Sequence, residues 1–411
     1  MTGQDDTGVY LDHAATTPVD DRVAAVMTAA LTREGTFGNP SSAHPWGRAA
    51  ASLVQHAREQ VGACIGGDPD GVVWTSGATE ADNMAVLGCA RFQRERGRGD
   101  HVVSVRTEHP AVLEPVEQLR REGMRVTLLS PEPDGSVTPA AVADALEEDT
   151  VLVSVMHVNN EMGAVQDIPG IAAVLDEHPA RLHVDAAQST GRLPLAVEDW
   201  GVDLLSLSGH KVYGPKGVGV LWLRRRPRVR LTPLLHGGGQ QAGMRPGTLA
   251  PHLIAGMGEA CAIAASEGPA ERERLAELRV RLRDRLLELD GVRLNGQWHG
   301  APHILNLSFG CVHGDALRAE VQHLGLSAGS ACSSGGGGAS HVLRAMGVPD
   351  ALAHASLRFS PGRWTTRADV DAVVDSVAAG VRRLRGLSPA WDAFRAGSEL
   401  GSLYRRPSLV G

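Results

Sequence analysis

Lysine is almost missing from this chain. Of 40 lysine and arginine side chains in 411 residues, only Lys211 and Lys216 are lysine. Arginine serves equally well as a solvated charge, but it keeps its proton and forms no imine, so amine chemistry is confined to those two positions. Cysteine is scarce too. Cys64, Cys89, Cys261, Cys311 and Cys332 form no CxxC pair and no zinc-ligand spacing, which excludes a disulfide framework and suits a reducing compartment. No run of 18 apolar residues occurs, and the start, Met-Thr-Gly-Gln-Asp-Asp, lacks an apolar signal core. A soluble, cytoplasmic chain without membrane contact is therefore expected. Positive charge is not in excess either: 40 basic against 47 acidic residues leave a net charge of −7. That balance argues against direct nucleic-acid binding, and the basic run 224–230 reads as a solvated edge after a strand.

The chain is long enough for two domains. Short apolar runs, taken as strands at Gly71–Trp74, His101–Val105, Arg125–Leu129, Val151–His157, Arg181–Asp185, Asp203–Leu207 and Val218–Leu223, alternate with amphipathic stretches. Helices are expected at Ala78–Glu95, Ala111–Gly123, Pro139–Glu147 and Pro169–Glu177. This rhythm predicts an α/β fold with a mainly parallel seven-stranded sheet, whose ligands gather at the carboxyl ends of the strands. After about residue 260 a charged helix, Pro269–Asp290, opens a smaller α+β domain. The expected division is 19–260 for the large domain, with 1–18 joining 261–411 in the small one.

Pyridoxal phosphate needs an amine, an acid for its ring nitrogen, a donor for its phenolic oxygen, a stacking ring and a phosphate cradle. Lys211, in Ser-Gly-His-Lys, supplies the amine, and Asp185 ends a strand as the acid. Gln188 is the donor, and His109 the stacking ring. Ala78 and Thr79 open a helix directly after a strand, where backbone N–H groups bind phosphate, and Ser208, Gly209 and His210 flank the lysine. Singly, each residue has an ordinary reading as a cap or an interior side chain; their common position after successive strands, around one lysine, points to the cofactor. Gly214–Gly219 precedes a strand rather than a helix, so it is no nucleotide loop. His236-Gly-Gly-Gly239 has no Gly-x-Ser-x-Gly elbow to serve. Cys332 stands apart from the other thiols, among Ser and Gly at 327–340, where a tethered thiol can attack one site and deliver to another.

These segments resemble the cysteine desulfurases, in particular the long-loop branch that serves iron–sulfur assembly and thiolation. The match is carried by Tyr10–Pro18, Phe37–Ser42, Thr75–Asn83, Thr107–Leu113, Val158–Gly163, His183–Gln188, Ser208–Gly217, the loop around Cys332 and Leu357–Arg363. The resemblance implies a fold-type I pyridoxal phosphate enzyme working as a homodimer. It implies that Ala78, Thr79, Ser208, His210 and Thr248 hold the phosphate, Thr248 from the partner subunit. His109, Asp185, Gln188 and Asn160 surround the ring, and Asn39 and Arg358, with Asn160 alongside, take the substrate carboxylate. It further implies that L-cysteine becomes L-alanine while its sulfur stays on Cys332 as a persulfide for acceptor proteins. No metal is expected beyond Cys332 as a transient cluster ligand. An aminotransferase, which shares the lysine and aspartate, or a selenocysteine lyase on the same fold would need no reactive thiol, and the intact set Lys211, Asp185 and Cys332 argues against a catalytically silent scaffold protein. Two departures stand out: Gln241-Ala242 where relatives carry an acidic–basic pair, and four glycines at 335–338.

Overall fold

The computed structural model describes residues 8–327, 339–400 and 403. Seven strands, β1 Val72–Thr75, β2 His101–Val105, β3 Arg125–Leu129, β4 Thr150–Met156, β5 Arg181–Asp185, β6 Leu204–Ser208 and β7 Gly219–Leu223, form one sheet in the order β1-β7-β6-β5-β4-β2-β3. Only β7 runs against its neighbours; the other strands lie parallel to one another. Six strands therefore end on one edge. Helices cover both faces, which is why β2, β4, β6 and β7 are buried throughout and rich in Val and Leu instead of alternating.

The expected helix Ala78–Glu95 is broken into Ala78–Asn83, a π-turn at Met84–Gly88, and Cys89–Glu95. The Gly88 carbonyl accepts from Thr232 N (3.0 Å), so a tertiary bond competes with the helical ladder at the turn.

The charged helix starts 18 residues earlier than its proline suggests, running Pro251–Leu287 with Pro269 inside. Packing overrides the proline signal: Ile254, Met257, Ala260, Cys261, Ile263 and Ala264 sit in the core of the large sheet. The second half of the same helix gives Leu275, Leu278, Leu282 and Leu286 to another core. That core lies on an antiparallel sheet of β8 Val292–Asn295, β9 Leu305–Phe309 and β10 Ser356–Phe359, in the order β10-β9-β8, and is closed by the helix Arg367–Arg385. Leu11 from the start of the chain packs there as well. No helix among the described residues is long and apolar enough to cross a membrane.

Candidate active site

At the shared edge of the parallel strands lies a cavity of about 540 Å³. Its wall includes Ala78, Thr79, His109, Asn160, Asp185, Gln188, Ser208, His210 and Lys211. Nine residues scattered over 134 positions of sequence thus meet in one place. The helix Ala78–Asn83 presents its first turn to the cavity, and a Cβ added at Gly77 would meet nothing within 4 Å, so backbone there faces open space. Asp185 ends β5, and one of its oxygens accepts from Ala187 N (2.8 Å). Gln188 Nε2 donates to Ala14 O (2.8 Å), leaving a second N–H. Lys216 also lines the wall, a position sequence reasoning left without a role.

His109 caps the helix Pro110–Arg121: its Nδ1 accepts from Ala111 N (3.1 Å), which leaves the proton of the neutral ring on Nε2. Burial, then the nearby Lys211 cation, pushes its pKa below the usual imidazole range. Burial also holds His210 down to about 4, so this ring is a neutral hydrogen-bonding group, with Nδ1 3.2 Å from Thr16 Oγ1.

Gly209 does not line the cavity. Its N–H is spent on Val218 O (3.0 Å), and a Cβ there would sit 2.8 Å from Pro215 O, so it serves close packing behind Lys211. Asn39 and Thr248 are exposed and lie off the cavity wall. Arg358 lies in β10, 2% exposed; it pairs with Asp12 (2.6 Å) and donates to Asn160 O (2.8 Å), and its Nε has no partner among the described residues. Cys332 lies outside the described residues. The residues bounding its loop are tied beside the site: Arg358 N donates to Ser327 O (2.8 Å), and Ser340 Oγ donates to Glu161 (2.5 Å).

Gln241 and Ala242 take φ of +52° and +56°. The Gln241 carboxamide pairs with both backbone groups of Trp74, N (2.6 Å) and O (2.8 Å), on edge strand β1. Arg245 pairs with Glu80 (2.8 Å), whose other oxygen accepts from Ser76 N (2.6 Å). Gln241 thus acts as a strand-edge clamp on β1.

Sequence reasoning missed Asp82, Glu108, His183, Glu161 and Asp12. Asp82 follows Ala78 by four residues and His183 precedes Asp185 by two, the spacings that share a helix face and a strand face. Away from the cavity, His313, Asp315 and His354 bring ligating atoms within 4.8 Å of one another, with Arg318 already on Asp315.

The chain belongs to the class-V aminotransferase family: the profile described as Aminotransferase class-V matches residues 9–373. Within it the chain is a pyridoxal phosphate-dependent cysteine desulfurase. It is 50% identical over 397 residues to the cysteine desulfurase IscS of Azotobacter vinelandii, covering 96% of this chain and 98% of that one. A solved NifS-like protein superposes with a TM-score of 0.84 at 32% identity, over 92% of this chain and 100% of the other. SspA in complex with cysteine superposes with a TM-score of 0.77 at 34% identity, over 87% and 100%. The cavity suits this cofactor: it offers an amine, a carboxylate, an imidazole and, at Gly77, backbone facing open space at a helix start.

Proposed function

We propose that Lys211, Asp185 and His109 act on L-cysteine in this cavity, and that Cys332 receives the sulfur as a persulfide. The observation that carries the reading is the meeting of Lys211, Asp185, His109 and the first turn of Ala78–Asn83 in one cavity, with Arg358 bonded to Asn160 of its wall. When bound, pyridoxal phosphate draws electron density from the substrate Cα and so loosens the bond from Cβ to sulfur. Asp185 pairs with its ring nitrogen, Gln188 with its phenolic oxygen, and Ala78, Thr79, Ser208 and His210 hold its phosphate. Arg358, with Asn39 and Asn160, takes the substrate carboxylate, a task that suits the guanidinium fork. Lys211 releases and takes up the proton at Cα, and His109 Nε2 manages the proton of the substrate thiol. The Cys332 thiolate then bonds to that sulfur; the bond pair stays with the carbon skeleton, which leaves as L-alanine after protonation.

The persulfide passes to acceptor proteins of iron–sulfur assembly or of tRNA or DNA thiolation, in the cytoplasm. Thr248, exposed and off the cavity wall, fits a homodimer in which it reaches the partner subunit's phosphate. Residues 1–18 with 261–411 are read as the small domain that carries the 327–340 loop, although Cys261, Ile263 and Ala264 still pack in the core of the large sheet. Incubation with L-cysteine should yield alanine together with one added sulfur on Cys332 by mass spectrometry. Cys332→Ala should abolish both under turnover, and retained turnover would refute the reading. Persulfide formation undiminished in His109→Ala would remove that residue's role.

A further inference from the structure

Behind Asp185 lies a second carboxyl that the mechanism above does not use. Asp82 sits on the second turn of the helix Ala78–Asn83, fully buried, and lines the cofactor cavity. Neither oxygen has a well-formed hydrogen bond among the described residues, although the Ser206 hydroxyl stands nearby. Asp82 Oδ1 is 3.5 Å from His183 Nε2, on the strand that carries Asp185. His183 is itself held at both ring nitrogens, Nδ1 2.8 Å from Ser154 Oγ and Nε2 2.9 Å from Ser206 Oγ. These hydroxyls sit in the strands on either side, β4 and β6, so one polar row crosses three strands beneath the cavity.

We propose that Asp82 is a positioning residue of this cavity: a neutral carboxylic acid, backed by His183, Ser154 and Ser206, that stands behind Asp185 where Asp185 faces the cofactor's ring nitrogen. The inference rests on the cofactor reading given above. Burial decides the protonation first, and the charges in the same low-dielectric wall after it. Burial raises Asp82 well above the usual carboxylate range, and the Asp185 and Glu108 carboxyls push the same way, against the Ser206 hydroxyl and the Lys211 ammonium. Glu108, also fully buried, is raised by burial too, and His183 is held down to about 3 by burial, so it brings no charge to the row. His109 is held neutral on the opposite wall. A carboxyl this deeply buried, with the Asp185 and Glu108 carboxyls acting on it, is kept as the acid. An ionised Asp82 would also stabilise the Lys211 ammonium and keep the amine from releasing its proton. A neutral Asp82 can donate a hydrogen bond, where an ionised one can only accept.

The test uses purified holoenzyme and three readouts: the infrared carboxylic-acid C=O band, cofactor dissociation constants, and the pH midpoint of the visible cofactor band. At neutral pH the wild-type acid band should contain a component, beside those of Glu108 and Glu161, that disappears in the Asp82→Asn difference spectrum. Asp82→Ala should weaken cofactor retention about tenfold, roughly 1.4 kcal/mol, and Asp82→Asn should restore it to within about threefold of wild type. The Asn variant should keep the midpoint within about half a unit, since it replaces one neutral group with another. A midpoint moved by more than about one unit in Asp82→Asn would mean that Asp82 is ionised. Wild-type retention in Asp82→Ala would remove the positioning role. Melting curves of the cofactor-free variants separate misfolding from lost binding. The control for the underlying reading is Lys211→Ala: if its cofactor band equals that of wild type, the cofactor reading fails whatever Asp82 does.

Discussion

Two residues after Lys211, Tyr213 is buried at φ +63° with its ring between two guanidiniums, Arg192 at 4.5 Å and Arg363 at 4.1 Å. Two cations on one ring are tolerated because Glu271 bridges them, bonding Arg192 with one oxygen and Arg363 (3.0 Å) with the other. Asp20 adds a second carboxylate to Arg363 (2.6 Å) but none to Arg192. The Arg192 and Glu271 side chains are 4% and 9% exposed, so solvent cannot stand in for a lost partner. Glu271→Met therefore leaves Arg192 buried without an anion. The expected cost is about 3 kcal/mol, roughly a hundredfold in the unfolding constant. Arg192→Met should cost less, about 1 kcal/mol, because Glu271 keeps its bond to Arg363 (3.0 Å). The double variant should cost about 2 kcal/mol less than the sum, because the uncompensated Arg192 charge is gone while Arg363 keeps Asp20 (2.6 Å). Urea unfolding followed by tryptophan fluorescence and circular dichroism measures all three. A loss under about 1 kcal/mol in Glu271→Met, or strictly additive costs, would show that the pair is not coupled as its burial requires.

Ala242→Gly relieves a positive φ and should raise stability by about 0.5–1 kcal/mol in the same assay, with the Gln241 clamp intact. Arg358→Lys keeps the charge but loses the planar fork; KM for L-cysteine should rise at least about tenfold while the visible cofactor band stays unchanged. Burial lifts Glu161 to about 7, so the folded state holds its proton at pH values where the unfolded chain has lost it. That preference is present below the folded pKa and is lost as pH rises through the window from about 4.5 to 7. Relative to Glu161→Gln, wild type should therefore lose on the order of 2 kcal/mol between pH 5 and pH 8; parallel unfolding curves would refute this.

The strand pattern was legible because parallel strands covered on both faces read as continuous apolar runs, and His101–Val105, Arg125–Leu129 and Arg181–Asp185 match to the residue. The site was legible where a residue type is itself chemically diagnostic, as with Lys211 among arginines and Asp185 at a strand end. The polar row of Ser154, His183 and Ser206 was not: each looks like an ordinary strand residue until three strands are laid side by side in register. The π-turn at Met84–Gly88 and the early start of the helix Pro251–Leu287 were hidden for the same reason, since a Thr232 bond and a packed core decide them. Gln241 gave no sign of clamping a strand 167 residues away.

The helix Pro251–Leu287 also constrains how this chain can be made and cut. Because Ile263 and Ala264 complete the core of the first sheet while Leu275 and Leu278 begin that of the second, no severing point near residue 260 yields two self-sufficient pieces. A fragment ending there takes Ile263 and Ala264 out of the first core and shortens the helix on which Asp21–Ala29 and Pro45–Ile65 pack, and a fragment starting there begins with those apolar residues uncovered. On the ribosome, the first sheet stays open until about this helix has emerged, so the nascent chain exposes its apolar strands for most of its synthesis. The second sheet is built on the far half of that same helix, and its strand Ser356–Phe359 carries Arg358 to Asn160 of the cavity wall, so one continuous helix couples the core under the cofactor to the core that holds the substrate arginine.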